Sequence, residues 1–157
     1  MPELSFVFNM IFRQSSVLPT FILFFMLLTF TACGESEPWE DRHGYGPVTS
    51  PVDKEDEPNS QLALEGKQIF ETYCDACHGL NTSISGPALG SVADNRTAEF
   101  IINYTLNPAE NRRNHPIGQE LSDRYSASMT STGISEEQAR AVYEYLRYYA
   151  EYGEPGE

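Results

Sequence analysis

The stretch YCDACHG, residues 73–79, sets two cysteines three positions apart and a histidine directly after the second. The chain has only three cysteines and three histidines in 157 residues. Placing Cys74, Cys77 and His78 within five positions calls for a chemical reason. A structural zinc site needs four ligands, most often from a second Cys or His pair. The remaining histidines, His43 and His115, stand at no such spacing. A thioredoxin-like redox pair belongs to a βαβ pattern, and none is present. A disulfide across three residues closes too short a loop to stabilise much. The fourth reading is covalent haem attachment: two thiols at a helix end reach the two vinyl groups, and the next residue offers its imidazole to the iron. C-x-x-C-H is the signature of that arrangement.

The residues before the motif supply the helix. In SQLALEGKQIFETYC, Leu62, Gly66, Ile69, Phe70 and Tyr73 recur at three- and four-residue steps, with Ser60 as N-cap. After His78 the run GLNTSISGPALGSVADNR reads as loop. TAEFIINYTLN, 97–107, reads as a short helix stopped by Pro108. Residues 108–133 are polar and broken, with one helical turn expected near Gln119–Arg124. The last helix is the clearest. Ser135 and Gln138 form a capping box, and Ala139, Val142, Tyr145, Leu146 and Tyr149 make its apolar stripe. The fold class is all-α, built mainly from three helices.

The sixth iron ligand has two candidates. Outside the N-terminal leader the chain has a single methionine, Met129, in the polar run SASMTSTG. A thioether suits haem iron and raises its potential relative to a second histidine. His115, in NHPIG, is the rival, although a histidine in a Pro-flanked loop is expected to be solvated.

The N-terminus reads as an export signal. FILFFMLL, 21–28, follows Arg13 and is too short to span a bilayer. The start is Met1 or Met10. FTACGES, 30–36, resembles a bacterial lipoprotein box, which implies lipidation of Cys33 and a signal peptide over 1–32. Residues 33–60, rich in Pro, Gly and acids, are expected to form a flexible tether. Residues 153–157 are expected to form a disordered tail. Removing 1–32 takes away Arg13 and Glu3 and leaves the net charge at −13. So acidic a chain excludes nucleic-acid binding and favours partners with basic docking surfaces.

With GKQIFETYCDACHG, GPALG, Met129 and ISEEQARAVYEYLRYY, the chain resembles a class I, mono-haem cytochrome c of the lipoprotein-anchored bacterial type over roughly residues 61–152. The resemblance implies one covalent c-type haem on Cys74 and Cys77, with His78 and Met129 as axial ligands. It implies that the first and last helices cross at right angles, with Gly66 and Phe70 matching on one and Val142 and Tyr145 on the other. It places Pro87, Leu89, Phe70 and Tyr145 at the haem pocket, with the Pro87 carbonyl accepting the proton of the ligand histidine. Relatives often have Met-Pro at the axial position, where this chain has Met129-Thr130. The implied function is one-electron transfer between redox proteins on the periplasmic side of the bacterial envelope, at the membrane through a lipid anchor, and without enzyme activity. Two alternatives stand beside it. One is a haem enzyme or gas sensor with Arg112, Arg113 and His115 over a labile distal site; the other is a cytochrome subunit of a larger oxidoreductase.

Overall fold

The structure, a computed structural model, describes residues 37–156. The leader, the start position and Cys33 lie outside the described residues. Among the described residues the chain forms seven helices and no named strand: α1 (Trp39–His43), α2 (Ser60–Tyr73), α3 (Val92–Asn95), α4 (Ala98–Leu106), α5 (Pro108–Asn114), α6 (Pro116–Arg124) and α7 (Glu136–Tyr152). None of these is long and apolar enough to cross a membrane.

The helix ends follow from local chemistry. The cap of α2 is Asn59, one residue before the expected Ser60; its side chain accepts the Leu62 N–H at 3.0 Å. The capping box of α7 forms as expected. Ser135 Oγ accepts the Gln138 N–H, and Gln138 Oε1 accepts the Ser135 N–H. The stretch 108–133 departs from expectation, because it carries two helices. Pro108 stops α4 and also opens α5, and Pro116 opens α6. Proline at the first helical position has no N–H to lose and a φ already suited to the helix.

The frame is the pairing of α2 with α7. A side chain at Gly66 would collide with the Ala141 carbonyl, so only glycine lets the two backbones come this close. One turn further along α2, Phe70 packs edge-on against Tyr145, with ring centroids 5.4 Å apart. Both rings are buried, and each full burial contributes roughly 1.5–3 kcal/mol. Helix α4 completes the core with Phe100, Ile101 and Ile102.

The expected tether is the largest correction. Residues 37–59 are laid along the domain and fastened by polar side chains far downstream. Asn103 and Asn111 are both fully buried. Asn103 accepts the Val48 N–H at 2.9 Å and donates to the Val48 carbonyl at 2.9 Å. Asn111 does the same for Tyr45, at 2.8 and 2.6 Å. Each amide side chain thus satisfies one residue's backbone as a neighbouring strand would. Glu99 adds two more ties: it accepts the Val52 N–H at 2.6 Å and pairs with His43 Nδ1 at 3.2 Å. Arg147 donates to the Glu55 and Asp56 carbonyls, and Glu144 accepts the Asn59 N–H at 2.5 Å. These bonds add to the small apolar burial of the segment, in which Val48 joins the core and Val52 packs against it. The expected tail is corrected likewise over 153–156. Tyr145 donates to Glu154 at 3.2 Å, Lys67 pairs with Glu154 at 3.0 Å, and Pro155 is buried.

Two outcomes follow. Gly66→Ala forces the α2–α7 pair apart and is expected to cost about 1–3 kcal/mol in denaturant unfolding of the holoprotein. Glu99 sets the acid behaviour of the strap. Burial alone would raise its carboxyl, but hydrogen bonds from the Val52 N–H and its own backbone, with His43 and Thr97, hold it below the ordinary 4.5. A depressed folded pKa stabilises above 4.5, and that stabilisation is lost as pH falls through the lower value. Unfolding free energy measured from pH 6 down to pH 3 should therefore fall less steeply in Glu99→Gln than in wild type.

Candidate cofactor site

The motif sits at the C-terminal end of α2. The Cys74 N–H bonds to the Phe70 carbonyl at 2.8 Å, and the Cys77 and His78 N–H groups both bond to the Cys74 carbonyl, at 3.0 and 2.9 Å. The helix therefore closes in one tight turn that carries both thiols and the imidazole. Cys74 is buried, Cys77 is exposed, and both are free thiols. Burial, with Asp75 and Cys77 nearby, pushes the Cys74 thiol up to about 11.

His78 is held by the loop that follows. Its Nδ1 lies 2.9 Å from the Pro87 carbonyl. A carbonyl only accepts, so Nδ1 carries the proton and Nε2 keeps its lone pair for a metal. This is the contact expected of Pro87. Backbone bonds brace the loop: Gly86 N–H to the Cys77 carbonyl at 2.9 Å, and Leu89 N–H to the Gly79 carbonyl at 3.0 Å. A side chain at Gly86 would strike the His78 ring, so the loop can pass over the imidazole only with glycine there.

One cavity of about 320 Å³ brings the candidates together. Cys74, Cys77, His78, Pro87, Leu89 and Met129 all line it. The rest of the wall is largely apolar, with Phe100 and Ile101 from α4 and Val142 and Leu146 from α7. Phe70 and Tyr145, expected at the pocket, do not line it. They stand behind it at the α2–α7 contact, where their ring pair sets the helix spacing. Arg96 and Tyr104 do line it, and sequence reasoning missed them. Tyr104 belongs to the apolar stripe of α4, but nothing in the sequence says which space that stripe faces. Arg96 lies just before the helix, with its guanidinium 5.9 Å from the Phe100 ring centroid.

The cluster Arg112, Arg113 and His115 is divided. Arg112 reaches the cavity and donates to Ser122 Oγ at 3.0 Å; Arg113 and His115 do not line it. His115 is neither solvated nor free to bind a metal. It is 1% exposed and packs beside Phe100. Its Nδ1 accepts the Ile117 N–H at 3.1 Å and caps α6, which leaves Nε2 as the donor to the Asp41 carbonyl at 3.0 Å. Burial lowers its pKa and favours this neutral form.

Comparison with known proteins agrees with this geometry. Residues 63–150 match the family Cytochrome c. The chain is 41% identical to the cytochrome c from Rhodothermus marinus, over 73% of this chain and 98% of that one, with a TM-score of 0.69. It is 40% identical to an engineered cytochrome c from Rhodothermus marinus, Rma TDE, over 73% and 99%, with a TM-score of 0.68. The same engineered protein bound to a carbene intermediate, 1-ethoxy-1-oxopropan-2-ylidene, also matches, at 40% and a TM-score of 0.66. No curated protein matches the chain.

The residues present fit a c-type haem. Two thiols and an imidazole with its metal-binding nitrogen unprotonated open on one largely apolar cavity, and among the described residues its wall holds two arginines and no carboxylate. His115→Ala separates the two axial candidates. The haem spectrum is expected to stay unchanged, while thermal unfolding loses about 1–2 kcal/mol with the α6 cap and the Asp41 tie. A changed spectrum would return His115 to the iron.

Proposed function

The chain belongs to the cytochrome c family, and from that premise we propose that it is a one-electron carrier between redox proteins of the bacterial envelope. Family members of this mono-haem kind hold one covalently attached c-type haem and carry electrons. Bound haem supplies a reversible one-electron couple, and every other part of the function belongs to the polypeptide. Cys74 and Cys77 would hold the group covalently, so it is not lost by dissociation. His78 would bind the iron through Nε2, its ring fixed by the Pro87 carbonyl. Arg96 and Arg112 are the cations on the wall and would take the haem carboxylates. Met129 would close the sixth position with its thioether.

The single observation that carries this reading is the meeting of Cys74, Cys77, His78 and Met129 on one cavity. Of the cluster that the enzyme and sensor alternative would use, Arg112 lines this wall, while Arg113 does not and His115 is committed to the α6 cap and the Asp41 carbonyl.

The place of action is also proposed. Lipidation at Cys33, after cleavage of a leader over 1–32, would hold the chain at a membrane on the periplasmic side. A lipid at Cys33 suits a carrier serving a membrane-bound partner or a subunit of a larger oxidoreductase.

The decisive experiment is Met129→Ala in haem-loaded protein. The wild type is expected to show the weak long-wavelength sulfur-to-iron absorption when oxidised and to bind carbon monoxide slowly when reduced. The variant should lose that band, bind carbon monoxide on mixing and have a lower reduction potential. Fast binding by the wild type would overturn the closed-site carrier. Cys33→Ser tests the anchor: the variant should leave the membrane fraction or stay unprocessed, and an unchanged membrane-bound product would rule lipidation out.

A further inference from the structure

A second concavity lies between the strap and the helices it crosses. It is a groove of about 610 Å³, within the range of roughly 300–1,000 Å³ common for ligand sites, and no residue lines both it and the haem cavity. Trp39, Glu40 and Tyr45 come to its wall from the strap, Leu106 and Glu110 from α4 and α5, and Glu136 from the first turn of α7. The strap side is fixed in place. Asn111 and Asn103 hold the backbones of Tyr45 and Val48, the Trp39 indole N–H reaches the Val48 carbonyl at 3.4 Å, and the indole stacks on His43 with ring centroids 3.9 Å apart. His43 in turn pairs with Glu99. The wall holds three carboxylates and, among the described residues, no Lys or Arg. Glu136 is paired with Arg140 at 2.8 Å, and Glu110 accepts from the neutral Asn107 amide at 2.6 Å, so Glu40 and Glu110 carry the charge that an occupant would meet. Among the described residues no three Asp, Glu, His or Cys side chains stand close enough to hold a metal ion, so these carboxylates suit a larger cation.

We propose that this groove binds an arginine side chain presented by a segment of a partner protein, at a contact separate from the haem cavity. The inference goes beyond the carrier reading, because a partner seated here holds the domain in an assembly without touching the haem cavity wall. A guanidinium fits both features of the groove. It is planar, weakly hydrated, stacks on an indole or phenol ring and donates in a fork to a carboxylate. An ammonium has a tighter hydration shell to lose and no flat face to lay on Trp39 or Tyr45. Leu106 gives the methylene stem of the arginine an apolar surface to lie on. The Asn103 and Asn111 ties already order the strap, so little further ordering opposes binding. Charge selects the partner as well: a chain at −13 attracts a basic segment and repels acidic proteins and a second copy of itself.

Trp39 is the only tryptophan of the chain, so its indole N–H gives one unambiguous signal in the nitrogen–proton spectrum of the reduced, haem-loaded protein. The probe is the peptide acetyl-Gly-Arg-Gly-Arg-Gly-amide. Its citrulline counterpart has the same shape without the charge, and spermidine stands for a free polyamine. The arginine peptide is expected to shift the Trp39 signal to saturation, with the citrulline peptide and spermidine each at least about tenfold weaker. Glu40→Gln combined with Glu110→Gln should weaken the arginine peptide about tenfold. Asp53→Asn combined with Glu137→Gln removes the same charge away from the groove and should stay within about twofold of wild type. The haem absorption spectrum should not move with peptide. A Trp39 signal that does not shift, or shifts without saturating, would overturn the site. Equal binding of the arginine and citrulline peptides would overturn cation recognition, and equal weakening by the two double variants would reduce it to the net charge of the chain. Tighter binding of spermidine would overturn the protein segment in favour of a free polyamine. A haem spectrum that follows the peptide would place it at the haem cavity and overturn the separate contact. Each of these outcomes leaves the Met129→Ala test of the carrier reading standing on its own.

Discussion

The close approach of α2 to α7 at Gly66 is the constraint on which the rest of the domain depends. With no side chain at Gly66, the Ala141 carbonyl can sit against the α2 backbone. That contact sets where Phe70 meets Tyr145 and where the last turn of α2 points. Cys74, Cys77 and His78 ride on that turn. Val142 and Leu146, one turn apart on α7, then face the same cavity as the motif. A wider helix pair would still fold as two helices, but the thiols and the α7 wall would no longer meet on one space.

The two sides of the cavity are held differently. On the histidine side, backbone bonds brace the loop, and Pro87 sets the tautomer of His78. On the methionine side, Met129 belongs to a stretch outside any helix, between α6 and α7. The capping box at Ser135 and Gln138 fixes where that stretch ends, and Tyr125 ties its start to Ser83. The protein thus commits its rigidity to the imidazole and leaves the thioether on a connecting segment of small residues. Neither stretch, 76–93 or 125–135, carries a charged residue, and the two arginines on the wall, Arg96 and Arg112, come from outside them.

Much of this was legible in the sequence because its causes are local. The motif at 74–78, the stripe of α2 and the capping box of α7 each depend on residues within about ten positions of one another, while the Pro87 contact was expected from the family resemblance. The strap was not legible. Residues 37–59 have almost no apolar periodicity, so they read as solvated, and their partners Asn103 and Asn111 lie more than 50 residues downstream. A buried asparagine that completes another segment's backbone looks the same in sequence as a surface asparagine. His115 failed for the same reason. Beside Pro116 it suggested a loop, whereas Pro116 begins a helix and His115 caps it. Phe70 and Tyr145 were placed in the right helices but at the pocket, whereas they pack against each other behind its wall.

The central claim is that Cys74, Cys77 and His78, presented on one turn at the end of α2, bind haem covalently in the cavity between α2, α4 and α7. The most direct measurement is the intact mass of the denatured protein, after expression with a cytochrome c maturation system, combined with acid-acetone extraction. The account predicts a single species heavier than the processed polypeptide by one haem, with colour that stays with the protein, and loss of that species in Cys74→Ala together with Cys77→Ala. Haem that leaves completely into the acetone, with the polypeptide mass unchanged, would contradict it.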